Sequence, residues 1–582
     1  MEVLHEASEM NRRTLIKGLS LAVGLSSIDK SFGRSVKSVQ QTSIPEAPSV
    51  MSSCPKWLES AVFYQVYPQS FFDSDNDGTG DLIGLISKLD YIRSIGCNAL
   101  WLNPIFESPF GDAGYDVADF YRVAPRYGTN DDVRVLCRQA HQRGMKICLD
   151  LVAGHTSIAH PWFRKSMLRA HNQFSDWYIW IPASERIDNT FPAPSEAGVA
   201  SRPEYYLPNF LSFQPALNYG YFHPDPSKPW QRSIHDPVCR AVQNNLRRIM
   251  KFWLDLGVDG FRVDMASSLI RNDPDGAGIR WLWQGYRKWL DVSHPEAVLI
   301  SEWGHPSKSI PAGFDVDFLL HFGEPAYVDL VGPRNPPDGD GRKPDAFFER
   351  SGKGDITKFL DSYRANYEPT RTLGYISLPT GNHDFPRATW GRTEEEVRVL
   401  FAMLFTMPGV PFLYYGDEIG MRFLLNAPEK EGANRAGLRS GSRTPMQWSG
   451  DENAGFSKAP SGNLYLPVDP ASDRPNVATQ EKDPDSMLNF TRTLLTLRRE
   501  KKALANTGGF AVIHAESGRV PFVYGRTSGS QRVIVAVNPS TRSCSLPISF
   551  PGTVTPLLAQ RAHLETGALE MGPVAYGIFL TS

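Results

Sequence analysis

The feature that most constrains this chain is an alternation running from Ala61 onward. Short runs rich in β-branched and aromatic residues are followed by stretches whose apolar residues recur at i, i+3 and i+4. The strand-like runs are residues 62–67, 99–103, 146–152, 260–264, 298–302, 316–320, 374–378 and 411–415. Helical spacing between them is carried by Leu82, Leu85, Ile86, Leu89 and Ile92, and again by Val242, Leu246, Ile249, Phe252 and Trp253. Strands separated by helical crossovers pair in parallel, and a parallel sheet has to be covered on both faces. Eight such units predict an α/β chain closed into a (β/α)₈ TIM barrel.

A chain of 582 residues exceeds what one core organises, so further parts are expected. Residues 57–154 and 237–482 read as the two parts of the barrel. Residues 155–236, after the third strand, are too long for a βα loop and rich in Pro, Tyr, Trp and Phe, which predicts an insertion domain over the barrel mouth. Residues 483–582 begin with a helix at 494–499. They continue with β-patterned segments at 510–514, 522–525, 532–537 and 575–580, the pattern of a C-terminal antiparallel β-sandwich. Residues 1–56 read as an export signal and linker. Asn11-Arg12-Arg13-Thr14-Leu15-Ile16-Lys17 before the apolar stretch 19–25 resembles a twin-arginine signal, which predicts a periplasmic or extracellular protein. The alternative is a cytoplasmic chain with a basic tail. The apolar stretch is too short to span a membrane.

The 61 Lys and Arg nearly cancel the 63 Asp and Glu, so no basic face recruits nucleic acid or an acidic membrane. Cys54, Cys97, Cys137, Cys148, Cys239 and Cys544 show no zinc-ligand or disulfide spacing.

In a barrel of this kind, reactive groups belong at the carboxyl ends of the strands. Asp150 ends the third strand, with His155 just beyond it. Arg262 and Asp264 end the fourth, Glu302 ends the fifth, and Asn382-His383-Asp384 follows the seventh. Retaining cleavage of a glycosidic bond needs one carboxylate to attack the anomeric carbon. A second carboxyl, about 5 Å away, protonates the leaving oxygen. Arg262 and Asp264 are two apart on one strand and share a face, so the guanidinium can orient Asp264 as the attacking group. Glu302 then serves as acid and base.

The segments Asp150-Leu-Val-Ala-Gly-His155, Gly260-Phe-Arg-Val-Asp264, Ser301-Glu302-Trp303 and Gly381-Asn-His-Asp384 resemble the four signature regions of the α-amylase superfamily. The resemblance implies Asp264 as nucleophile, Glu302 as acid/base and Asp384 as a third, transition-state-stabilising carboxylate. It also implies that Tyr115, Asp116, His155, Arg262 and His383 line the subsite for the non-reducing glucose. Asn382-His-Asp-Phe-Pro-Arg387 and Ser442-Arg-Thr-Pro-Met-Gln-Trp448 are similar to the oligo-1,6-glucosidase, α-glucosidase and trehalose synthase branch, which adds Arg387 and Arg443 to the substrate contacts. Gln214-Pro-Ala-Leu-Asn218 carries Ala216 where that branch has an acid, Gly154 stands where most members carry Asn, and Met265 follows the nucleophile where Val or Ala is typical.

Asp73, Asp75, Asp77, Thr79 and Asp81 alternate around glycines, the oxygen-rich loop that Ca²⁺ or Mg²⁺ takes. The resemblance makes such an ion structural, and retaining glycosidases need no catalytic cofactor. The plainer reading is an acidic turn capping the helix that starts at Asp81. The function expected is a retaining hydrolase of short α-linked gluco-oligosaccharides or disaccharides. Alternatives are a trehalose- or sucrose-type isomerase or transglucosidase with the same residues, or a non-catalytic sugar-binding homologue.

Overall fold

The computed structural model describes residues 54–185, 200–332, 345–432, 439–548, 550, 552–565 and 567–581. The twin-arginine-like segment and the linker to residue 53 lie outside the described residues. Among the described residues, no helix is long and apolar enough to cross a membrane.

Eight short parallel strands form the centre: β1 (Phe63–Val66), β2 (Ala99–Leu102), β3 (Lys146–Val152), β4 (Gly260–Asp264), β5 (Val298–Ser301), β6 (Val316–Phe318), β7 (Tyr375–Ser377) and β8 (Phe412–Tyr414). They are hydrogen-bonded in the order β7-β6-β5-β4-β3-β2-β1-β8. The remaining gap is bridged by Val410 N–H donating to the Ile376 carbonyl and Thr380 N–H donating to the Phe412 carbonyl, at 3.2 and 3.0 Å. The expected TIM barrel is therefore the observed fold. Its strands are buried along their length because each faces helices outside and side chains inside. Inside, Trp101, Phe318 and Phe412 pack edge-on and tilted against one another beneath the carboxyl ends, with Phe318 and Phe412 centroids 4.7 Å apart. The β3–β4 register sets Asp150 opposite Arg262 and Val152 opposite Asp264, which brings the polar strand ends to one level.

The outer helices carry the expected apolar stripes. In α1 (Pro237–Leu256), Val242, Leu246, Ile249 and Trp253 are buried, Asp236 caps the first turn through Val238 N–H, and Gly257 ends the helix in the left-handed conformation. After β3 the chain makes a separate excursion built on a two-strand ladder, Trp180–Ile181 with Tyr205–Tyr206. Its small core contains Ile179, Ile181, Leu207, Ala216 and Tyr221, which explains the alanine in Gln214-Pro-Ala-Leu-Asn218. An acid at Ala216 would put an unpaired charge among these apolar side chains.

The C-terminal helix, α2 (Met487–Glu500), is longer than its sequence signal because Ser486 caps it through Asn489 N–H. It leads into β9 (Gly509–His514), β10 (Phe522–Ser528), β11 (Gln531–Asn538), β12 (Cys544–Ile548), β13 (Val554–Glu565) and β14 (Gly567–Thr581). These form one antiparallel sheet folded on itself. The first part of β14 pairs with β12, its second part pairs with β11, and β13 follows both. The bend falls where Arg561 and Val574 take positive φ, 51° and 49°. Val523 and Ile534 of one half then share a core with Leu564, Leu569 and Met571 of the other.

One buried acid makes the fold pH-sensitive. Glu418, after β8, accepts the hydroxyls of Tyr64 and Tyr91 at 2.7 and 2.8 Å and among the described residues has no basic partner, so burial pushes its carboxyl up to about 7. The ordinary value is 4.5. Its contribution is complete below that value and is lost as pH rises to about 7. Glu418→Gln keeps an acceptor for both tyrosines and removes the charge. Its stability relative to wild type should be nearly unchanged at pH 4 and higher by about 3 kcal/mol at pH 8. Unfolding at the two pH values measures this, and equal wild-type and variant stability at pH 8 would contradict it.

Candidate active site

At the carboxyl ends of the strands, one guanidinium gathers three carboxylates from adjacent strands. Arg262 Nη1 donates to Asp150 Oδ1 at 2.8 Å and to Asp264 Oδ1 at 3.1 Å, while Nη2 lies 2.6 Å from Glu302 Oε1. Arg262 is 2% exposed, Asp150 1% and Asp264 7%, so the group sits at the bottom of the mouth with its upper carboxylate edge toward it. Burial pushes the Asp264 carboxyl well up, the Glu302 charge adds to this, and Arg262 opposes both. Asp150 is raised to about 6, again chiefly by burial.

Glu302 Oε2 accepts the N–H of Met265, the residue after Asp264, at 2.9 Å. Met265 has φ 42°, a left-handed conformation that a side chain other than glycine's adopts at a cost of about 1 kcal/mol or more. The strained turn aims this N–H across from β4 to the end of β5.

The next ring of contacts is neutral. Tyr115 hydroxyl donates to Asp150 Oδ2 at 3.0 Å and lies 2.8 Å from His383 Nε2, and the two rings stack with 6° between their planes. Gln65 Nε2 meets His383 Nδ1 at 3.1 Å. His383 therefore carries its proton on Nε2. Burial holds it well below the usual histidine range, so it is an uncharged donor.

Asp384 is the opposite case to Asp264. Burial alone would raise it, but His383, Arg439 and Arg443 hold it well below the carboxylate range. Arg439 Nη1 is 2.7 Å and Arg443 Nη2 3.3 Å from its Oδ1, and His383 Nε2 is 3.3 Å from its Oδ2. Arg439 also reaches Asp112 Oδ1 at 3.4 Å, and Asp112 is fixed by Gln214 Nε2 at 2.8 Å. A second group, Asp112, Arg439, Asp384 and Arg443, thus stands beside the first. A neutral polyhydroxylated ring fits such a wall, where carboxylates accept and guanidinium groups donate.

The structure brings together Asp264, Glu302, Asp384, Arg262 and His383 from the strand ends, and Tyr115, which the family resemblance implied, from the loop between β2 and β3. His155 lies one layer back: its Nε2 is 3.1 Å from the Tyr115 carbonyl and its Nδ1 3.2 Å from Asn209 Nδ2, and burial lowers it to about 4. Arg443 is buried behind Asp384, donating to the His383 carbonyl at 2.8 Å. Two expectations are corrected. Asp116 points away from the mouth, accepting Gly111 and Asp112 N–H and the Ser108 hydroxyl at 2.9 to 3.0 Å, and so shapes the turn that presents Asp112. Arg387 is wholly buried, donating to the Tyr415 and Ser442 carbonyls and to Asp417, and clamps the loop after β7 to the end of β8. Asp112 lies on a loop and Arg439 opens a short 3₁₀ turn, so neither falls under the strand-end rule.

In the acidic loop, Asp73, Asp75 and Asp81 bring carboxylate oxygens within 4.8 Å of one another. Asp77 is outside that set, with Oδ1 accepting Thr79 N–H at 2.7 Å. Asp81 also caps the following helix through Gly84 N–H. Burial and the charges of Asp77 and Asp73 raise the Asp75 carboxyl. Among the described residues none of these aspartates pairs with a basic side chain, so the donor set is hard oxygen with uncompensated negative charge, which fits Ca²⁺ or Mg²⁺.

The family described as "Alpha amylase, catalytic domain" matches residues 65–315 and 347–507. The chain is 33% identical over 493 residues to the trehalose synthase/amylase TreS of Mycobacterium tuberculosis (strain CDC 1551 / Oshkosh), covering 78% of this chain and 76% of the relative. It is 30% identical over 549 residues to the oligo-1,6-glucosidase of Parageobacillus thermoglucosidasius, covering 84% and 91%. Among solved structures, an isomaltulose synthase mutant from Erwinia rhapontici NX5 in complex with its natural substrate sucrose aligns with a TM-score of 0.73 and 25% identity, covering 91% of this chain and all of that one. Barrel, strand-end carboxylates and these relatives agree: the chain belongs to the α-amylase family of glycosidases and transglucosidases.

Proposed function

We propose that this protein cleaves short α-glucosides with retention, through a covalent glucosyl ester on Asp264. The observation that carries this reading is the Arg262 guanidinium held between Asp150, Asp264 and Glu302. Asp264 attacks the anomeric carbon while the Glu302 carboxyl gives its proton to the departing glycosidic oxygen. The step needs the nucleophile ionised and the acid protonated together. Asp384, kept anionic by its arginines, accepts hydrogen bonds from the sugar hydroxyls and faces the positive charge that develops on the ring. Glu302, now a carboxylate, takes the proton of the incoming hydroxyl, which attacks the ester and frees Asp264. Asp112 and Arg439 close the wall beside Asp384, an arrangement suited to a terminal glucose.

When the incoming hydroxyl belongs to water the product is glucose; when it belongs to the retained leaving sugar the product is an isomeric disaccharide. Similarity to trehalose synthases favours the second reading for part of the flux. Incubation with maltose, isomaltose, trehalose and sucrose tests both. Free glucose in step with substrate loss identifies the hydrolase, and a new disaccharide with little glucose identifies the isomerase. No turnover of any of the four removes the substrate assignment.

The acidic loop is proposed to hold a structural Ca²⁺ or Mg²⁺ through Asp73, Asp75 and Asp81, fastening the β1 loop to Ser457, whose hydroxyl meets Asp73. Calcium at a hundred times its Kd should stabilise the fold by about 2.7 kcal/mol. Chelation should lower the Tm, and Asp75→Asn should abolish the response while leaving kcat intact. A Tm indifferent to both calcium and chelator would overturn the site.

A further inference from the structure

Gly154, just past β3, is not in the left-handed region, so its backbone does not require glycine. Space does: a Cβ there would lie 2.6 Å from Asn209 Nδ2, 3.3 Å from its Cγ and 3.4 Å from Leu269 Cδ2. The notch left by Gly154 is filled by the carboxamide of Asn209, which arrives from the excursion after β3 and is 1% exposed.

The amide nitrogen of that carboxamide faces His155 and the Met265 turn. Nδ2 is 3.2 Å from His155 Nδ1, 3.4 Å from Ser268 Oγ and 3.8 Å from Met265 Sδ. Oδ1 accepts from Arg271 Nη2 at 2.9 Å. Asn209 is held in turn by its own N–H, which donates to the Gln214 carbonyl at 2.8 Å. The Tyr115 carbonyl can only accept, so His155 carries its proton on Nε2 and leaves Nδ1 to accept from Asn209; the hydroxyl of the same Tyr115 binds Asp150. Ser268 donates to the Met265 carbonyl at 2.9 Å, and the N–H of the same Met265 is the one that meets Glu302.

We propose that Asn209 is a positioning residue that keys the excursion after β3 into the barrel. It holds the His155 ring against the Tyr115 carbonyl and backs the strained Met265 turn, so that Tyr115 on one side and Glu302 on the other are aimed from a single carboxamide. The inference rests on the reading of Asp264 and Glu302 as the reacting pair. It makes Gly154 and Asn209 one unit: the carboxamide can be supplied from either wall of the notch, but not from both.

The test is a double-variant cycle. Asn209→Ala should lower kcat on the order of tenfold, the range of groups that orient a reacting residue, with less effect on KM. Gly154→Asn alone should also lose activity, because two side chains then claim one space. Gly154→Asn combined with Asn209→Gly should recover most of the lost kcat, a non-additivity that independent structural damage does not produce. Separately, ¹⁵N-histidine spectra, with the His155 signal assigned by its absence in His155→Gln, should show the Nε2–H tautomer in wild type and in Asn209→Ala, with the Nδ1 resonance shifted in the variant as its hydrogen bond is lost. An unshifted Nδ1 resonance with unchanged kcat in Asn209→Ala would overturn the proposal, as would a double variant no better than either single one. The Nδ1 readout does not depend on which carboxylates react. Full activity in Asp264→Asn with the Nδ1 shift intact would sink the catalytic reading and leave the keying of Asn209 standing.

Discussion

Asp264→Asn is expected to abolish turnover of α-glucosides, with kcat/KM falling by at least about 10⁴-fold, while the protein becomes more stable at neutral pH. Loss of activity follows because an amide does not attack the anomeric carbon, and no other described side chain shares the Arg262 contact from the same strand. The gain in stability follows from the sign of the Asp264 shift. Its carboxyl is raised by burial and by the charge of Glu302, so the ionised form is disfavoured by folding. Stability from this group is complete below its ordinary value of 3.8 and is lost as pH rises toward the folded-state value. Asparagine removes that loss and leaves Arg262 with Asp150 and Glu302 as partners. Steady-state kinetics and thermal unfolding on one preparation check both halves. Activity within tenfold of wild type would refute the nucleophile, and a lower Tm at pH 7 would refute the electrostatic account.

Glu302→Gln should have the second largest effect, and one that depends on the leaving group. With maltose the departing hydroxyl needs a proton, so kcat/KM should fall about 10³-fold. A 4-nitrophenyl α-glucoside leaves as a phenolate without that proton, so its first step should survive. Its second step still needs a base. The expected trace is a burst of one nitrophenol per active site, followed by slow turnover as the glucosyl ester accumulates. Azide, which needs no base, should relieve the slow phase and yield a glucosyl azide of retained configuration. Equal losses for maltose and the aryl glucoside, with no burst and no azide effect, would assign Glu302 to binding alone. The variant also keeps only part of the present geometry, since an amide cannot accept from both Arg262 and Met265 N–H as the carboxylate does.

How far the site was legible depends on where each residue sits. Arg262, Asp264 and Glu302 were readable because a strand has a side-chain period of two and a barrel presents strand ends at one face. Those two rules convert sequence spacing into position. Asp116 and Arg387 were misplaced because each stands beside a residue of the site, Tyr115 or the His383-Asp384 pair, and adjacency in a loop says nothing about direction. Asp116 turns back into its own loop, and Arg387 turns under it toward Asp417. In the C-terminal sheet, β12 and β13 were missed although burial alternates along β12 and from Leu558 to Glu565 of β13: Pro547 interrupts the first, and the inward positions Gln560 and Ala562 of the second are polar or small.

What the sequence determined by itself was the repeating βα pattern and the carboxylates at the ends of the strands, since both follow from local spacing that each segment carries alone. Tertiary structure decided which charges meet. Asp112 and Arg439 are 327 residues apart in sequence and 3.4 Å apart in space. Asn209 enters the notch at Gly154 only because the excursion after β3 folds back onto the barrel. Contacts of this kind depend on the closure of long loops, where backbone entropy is overcome by packing at the far end, and no local rule of spacing encodes that outcome.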